Sequence, residues 1–138
     1  MGRNKNARLL VIEHRFYGSS QPCADWSVQC YQGLLTSEQG LADFAYFLQT
    51  MNADMPTRPT IVIGGSYPGA LSAWFRYRYP EIATASWAAS AVVQPWEDMW
   101  TYDEQVYNST HDIGAWCSDF IKDLADYSAG QGILRDQG

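Results

Sequence analysis

Apolar and polar positions along this chain fall into two periods, and the switches between them outline its elements. Arg8 to Glu13 (RLLVIE) is a short, nearly continuous apolar run with β-branched content, the pattern of a strand buried on both faces. Gly18 to Gly33 is rich in Ser, Gln, Gly and Pro and reads as a long loop. Thr36-Ser37-Glu38-Gln39 forms a capping box, with the Thr36 hydroxyl aimed at the Gln39 backbone and the Gln39 side chain returning the bond. Leu41, Phe44, Ala45 and Leu48 follow on one helical face that runs to about Met51, where Pro56 and Pro59 break it. Thr60 to Gly64 (TIVIG) repeats the buried-strand pattern. The next helix starts just after Ser66 and ends near Tyr79, because Pro80 disfavours helical dihedrals in the residue before it. Small residues from Ala83 to Val93 suggest a third strand.

The order strand, helix, strand, helix, strand predicts parallel strands joined by right-handed crossover helices, an α/β layer architecture over residues 1–93. From Gln94 the texture changes. Trp96, Trp100, Tyr102 and Tyr107 precede a helix that carries Ile113, Trp116, Cys117, Phe120, Ile121 and Leu124 on one face and closes at Gly130, so residues 94–138 form a separate helical region. Those aromatics are expected in a core rather than in a substrate pocket.

With 46% apolar and 17% charged residues in a 138-residue chain, composition fits one folded region and excludes a disordered one. Nine basic and fifteen acidic residues give a net charge of −6, which repels phosphate backbones and anionic lipid. Nucleic acid and membrane are therefore not expected as partners. No apolar run approaches the ~20 residues of a membrane span, and the opening residues carry no signal-peptide core.

Chemistry concentrates at Gly64-Gly65-Ser66-Tyr67-Pro68-Gly69. Ser66 sits between a buried strand and a helix start, where a sharp turn exposes a serine hydroxyl above a sheet as a nucleophile elbow. The Tyr67 amide is then the donor for a developing oxyanion. The pattern Gly-x-Ser-x-Gly fails at Pro68, yet proline in a first helical turn loses only an N–H that has no partner within the helix. The plainer reading is a glycine-rich turn with an ordinary N-cap serine.

Glu13-His14-Arg15-Phe16-Tyr17-Gly18-Ser19-Ser20, the segment Leu35 to Phe44, and Gly64 to Gly69 with Ala73-Trp74-Phe75-Arg76 and Tyr79-Pro80 occur in an order that resembles the prolyl carboxypeptidase and dipeptidyl peptidase II family, which includes thymus-specific serine protease. The resemblance is strong from about Leu9 to Val93 and continues more weakly to about Leu124. It implies an α/β-hydrolase serine peptidase that cleaves next to a proline near a peptide terminus, needs no cofactor, and is lysosomal or secreted. It also implies a homodimer for the full-length protein. Residues 1–93 would be part of the hydrolase core and residues 94–138 the start of its helical cap. Ser66 would be the acyl-forming nucleophile, in a family that accepts Gly, Ala or Pro at the position of Pro68. The triad Asp and His, and the second oxyanion donor, would lie outside this chain, an internal slice of a longer enzyme. A non-catalytic hydrolase-like binding module, or an esterase or lipase on the same fold, are the alternatives.

Neither histidine suits the role of base. His111 is expected as a solvated loop residue, and His14 as a hydrogen-bonded structural residue at a strand end. Cys23 and Cys30 share a loop and can close a small disulfide ring, leaving Cys117 unpaired; three reduced thiols in a cytosolic protein are the other reading. No cysteine–histidine spacing suggests zinc. Asn108-Ser109-Thr110 is an N-glycosylation acceptor.

Overall fold

A computed structural model describes residues 7–25, 27–53 and 58–130. The chain divides into two compact units, Met1–Val93 and Gln94–Gly138. The first contains α1 (Val28–Leu34), α2 (Ser37–Met51), β1 (Ile61–Gly65), α3 (Tyr67–Arg78) and β2 (Ala85–Ala89), and the second α4 (Trp100–His111) and α5 (Ala115–Gly130).

In the first unit β1 and β2 pair in parallel from Ile61↔Ala85 to Gly65↔Ala89, with α3 as the connection between them. This is a small α/β assembly. Thr36 caps α2 in an extended conformation, its hydroxyl accepting the Gln39 N–H at 3.2 Å. The return bond from the Gln39 side chain is not formed. The apolar face of α2 supplies Leu41, Ala45 and Leu48 to a core completed by Leu71 and Phe75 of α3 and by Ala83, with Phe44 packed against it. Phe75 is 2% exposed and packs with its ring 5.0 Å from that of Tyr79, the residue that caps α3 before Pro80. Pro59 stands just before β1, and Pro56 lies outside the described residues.

Three expectations for this unit are corrected. Arg8 to Glu13 is not a strand: it has no ladder partner among the described residues, and Leu9 and Val11 are exposed while Leu10 packs on the core. An apolar pattern supplies faces but not a neighbour, and ladder bonds need one. The described sheet accordingly has two strands rather than three. The Gly18 to Gly33 loop gives way at its end to α1, begun by Ser27, whose hydroxyl accepts the Cys30 N–H at 3.3 Å. One face of the sheet also remains bare, since Val62 packs on the core while Ile61, Ile63 and Trp87 are mostly exposed.

In the second unit α4 and α5 are joined through Asp112, Ile113 and Gly114. Trp100, Tyr102 and Tyr107 belong to a helix rather than to a lead-in, and like Trp96 they are exposed rather than in a core. The expected face of α5 exists, but Trp116, Phe120, Ile121 and Leu124 along it are exposed as well. Among the described residues no helix is long and apolar enough to cross a membrane.

Candidate active site

Ser66 directly follows β1 and precedes the first residue of α3, at the carboxyl end of the parallel pair. Its backbone has φ 58° and ψ −128°, a left-handed conformation that costs a non-glycine residue about 1–3 kcal/mol and must be held by its surroundings. Two backbone bonds hold it. The Ser66 N–H donates to Ala89 O at 2.9 Å, extending the ladder by one step, and the Ser66 carbonyl accepts the Ala70 N–H at 3.0 Å to open the helix. The side chain is thereby left exposed, and its hydroxyl forms no hydrogen bond with any described residue.

Two glycines make the turn sterically feasible. A Cβ at Gly64 would collide with the Pro68 carbonyl, and one at Gly69 would lie 2.8 Å from Ala89 O. Helix and strand therefore touch backbone to backbone at those two positions, whereas Pro68 occupies an exposed first-turn site of α3. This explains how the elbow forms without the second glycine of the usual pattern: the close approach falls one residue later, on Gly69. Tyr67, as the first residue of the helix, has an amide with no acceptor inside it.

The Tyr67 ring is anchored through its hydroxyl, 3.2 Å from His14 Nε2 and 3.3 Å from Ser37 Oγ. His14 is thus the hydrogen-bonded structural residue expected, but nothing local to any of the three residues signals that its partner is Tyr67. The loop carrying His14 is fixed on either side. Arg15 grips Asp43 of α2 through two bonds of 2.6 and 2.7 Å and reaches the Leu34 carbonyl at 3.1 Å. That carboxylate raises the affinity of the guanidinium for its proton. Glu13 folds back over Gly18 to accept the Ser20 N–H at 2.7 Å, and the bonds from the Ser20 side chain and backbone hold its carboxyl below the usual range. A Cβ at Gly18 would meet that carboxylate.

The remaining candidates lie elsewhere. His14 spends its ring on Tyr67 and on its neighbouring carbonyl, and does not bond Ser66 Oγ. His111 is the last residue of α4, not a loop residue; it stacks on Tyr107 and its Nδ1 is 3.1 Å from Ser118 Oγ. Ser118 is buried and donates to Ala115 O at 3.0 Å, so the pair staples α4 to α5. Cys23 and Cys30 are joined in a disulfide with a Cα separation of 6.5 Å, and Cys117 is free. Asp25 approaches both sulfurs, but the disulfide leaves no thiolate for a metal. Asn108 lies exposed on α4. An open groove of about 410 Å³, lined by Leu41, Trp74, Tyr77 and Tyr79 with Glu38 and Arg78, does not include Ser66.

The family model described as serine carboxypeptidase S28 matches residues 1–129. The chain is similar to lysosomal Pro-X carboxypeptidase of Mus musculus, 39% identical over 137 residues, covering 91% of this chain and 28% of that protein. It is similar to the Homo sapiens protein of the same name, 45% identical over 98 residues, covering 67% of this chain and 20% of that one. A prolyl carboxypeptidase-like protein of Caenorhabditis elegans is 39% identical over 113 residues, 78% of this chain and 21% of its own length. The chain thus spans between a fifth and somewhat over a quarter of the length of these three relatives. With an exposed serine on a strained strand-to-helix turn and a family match over nearly its whole length, the chain belongs to the serine carboxypeptidase S28 family.

Proposed function

We propose that this chain contributes the nucleophile of a serine exopeptidase acting on peptides with a proline near one terminus. The observation that carries the reading is the left-handed backbone of Ser66 between a parallel strand and a helix, with an unengaged, exposed hydroxyl. In this reading Ser66 Oγ attacks the peptide carbonyl and passes its proton to a general base. The carbonyl oxygen becomes an oxyanion that accepts from the Tyr67 N–H. Collapse expels the amine, which takes the proton from the base, and water then releases the acyl group. In this reading the His and Asp of the triad come from outside these residues, His14 being held on Tyr67 and His111 on Ser118. The preference for proline is inferred from the similarity to the Pro-X carboxypeptidases.

The wider architecture follows the same reading. Residues 1–93 form part of an α/β-hydrolase core and residues 94–138 the start of its helical cap, in a lysosomal or secreted protein that dimerises at full length. The Cys23–Cys30 disulfide and the exposed Asn108 acceptor suit an oxidising, glycosylating route. The test is fluorophosphonate labelling of the full-length protein that carries this sequence, beside a Ser66→Ala variant, followed by proline-containing peptides against short esters. Labelling confined to the unsubstituted protein, with peptide turnover, supports the proposal. Absence of labelling points to a non-catalytic module, and turnover of esters alone to an esterase.

A further inference from the structure

Two polar side chains from separate segments, His14 and Ser37, meet on the Tyr67 hydroxyl, and with a neutral imidazole one set of directions satisfies every bond. His14 Nδ1 lies 2.8 Å from the Arg15 carbonyl oxygen, which can only accept, so Nδ1 carries the ring proton. In the neutral imidazole Nε2 then accepts, and the Tyr67 hydroxyl donates to it. The Tyr67 oxygen is left to accept from Ser37 Oγ. The run is therefore Ser37 to Tyr67 to His14 to the Arg15 carbonyl. The imidazole has little freedom to turn. Tyr17 packs edge-on against it at 4.9 Å, and it lies over Gly40 of α2, where an added Cβ would stand 2.7 Å from Nε2.

Tyr67 is the residue whose position matters most for charge stabilisation. Pro68 has no N–H, so the Tyr67 amide is the donor next to Ser66 at the start of α3. The peptide bond joining it to Ser66 follows a residue with positive φ, whose conformation must be held by its surroundings. We propose that His14, seated against Gly40 and accepting from the Tyr67 hydroxyl, is a positioning residue that keeps the Tyr67 amide aimed at the oxyanion. The inference rests on the reading of Ser66 as nucleophile. His14 itself touches neither substrate nor Ser66, and acts through Tyr67.

Positioning an oxyanion donor acts on the transition state and not on substrate binding, so the signature is a fall in kcat at constant KM. The experiment is steady-state kinetics on the full-length protein carrying these residues, with Tyr67→Phe, His14→Leu, His14→Gln and Gly40→Ala. Tyr67→Phe removes one oxygen atom, and Gly40→Ala keeps every polar group while crowding Nε2. Both, with His14→Leu, are expected to lower kcat about tenfold, a fraction of the ~100- to 1,000-fold loss on deleting a donor, and to leave KM within about twofold. Affinity for a peptide aldehyde, whose adduct carries the oxyanion, is expected to fall with kcat. His14→Gln, which retains an acceptor near the place of Nε2, is expected to restore most of it. The double variant Tyr67→Phe/His14→Leu is expected to be no worse than either single one. Unchanged kcat in Tyr67→Phe, or a rise in KM at constant kcat, overturns the inference while the nucleophile reading stands. Turnover that survives Ser66→Ala, or none in the unsubstituted protein, overturns both.

Discussion

The hydroxyl of Tyr67 lies 3.2 Å from Nε2 of His14, a residue 53 positions earlier in the chain. The contact ties the elbow to the loop that precedes α1, and each of the two rings has a second anchor, Ser37 for Tyr67 and the Arg15 carbonyl for His14. The turn at Ser66 is thus held from both ends, by ladder and helix bonds on its backbone and by a side-chain chain one residue along.

Gly64→Ala is expected to abolish fluorophosphonate labelling of the full-length protein more completely than Gly65→Ala. A Cβ at Gly64 meets backbone of Pro68 and Gly69, which cannot rotate away, whereas at Gly65 the nearest atom is Ala89 O at 3.9 Å. Equal labelling of the two variants would show that the strand and α3 are not in backbone contact.

How much of this could be read from the chain itself depends on range. α2, β1 and α3 came through because their signals are local: an apolar face of period 3.6 behind a threonine cap, a short β-branched run, a proline after the last turn. Arg8 to Glu13 failed as a strand because pairing depends on a distant neighbour, and α1 was hidden because seven residues give too few turns for a period to emerge. The same division holds at the site. Ser66 and the Tyr67 amide are adjacent and share one motif, while the His14 contact needs α2 to present the gap at Gly40.

Phe75→Ala is expected to destabilise the first unit by about 3–5 kcal/mol, the range for emptying a buried aromatic site. The side chain is 2% exposed and lies between Phe44 and Tyr79, at 6.3 and 5.0 Å, so removal leaves a cavity bounded by two helices. Urea unfolding followed by far-ultraviolet circular dichroism measures it. A loss under about 1 kcal/mol would mean that α2 and α3 do not share the core described.

Acid is expected to loosen the loop from Glu13 to Ser20. Bonds from the Ser20 side chain and backbone, and from the Ser19 backbone, depress the Glu13 carboxyl pKa below its value of 4.5 in the unfolded chain. A depressed carboxyl favours the folded loop at pH above the unfolded value, and that preference is lost as pH falls through the folded one. Nuclear magnetic resonance titration of the Glu13 side chain should give a midpoint below 4.5, moving up when Ser20 is replaced by Ala. A midpoint at or above the unfolded value would remove the carboxylate from the account of this loop.

The 138-residue chain expressed alone is expected to hydrolyse neither proline-containing peptides nor simple esters above background. A serine hydroxyl needs a base within hydrogen-bond reach to act as a nucleophile at neutral pH. His14 cannot turn to serve as one without giving up Tyr67, and His111 is committed to Ser118 in the second unit. The exposed apolar side chains of the sheet, Ile61, Ile63 and Trp87, add a second obstacle, since a bare sheet face favours aggregation over a soluble, active fragment. The measurement is turnover of the expressed chain beside its Ser66→Ala variant, with size-exclusion chromatography to record its association state. Robust turnover in the first that vanishes in the second would mean that these residues supply their own base, and the assignment of the triad histidine to a region outside them would have to be abandoned.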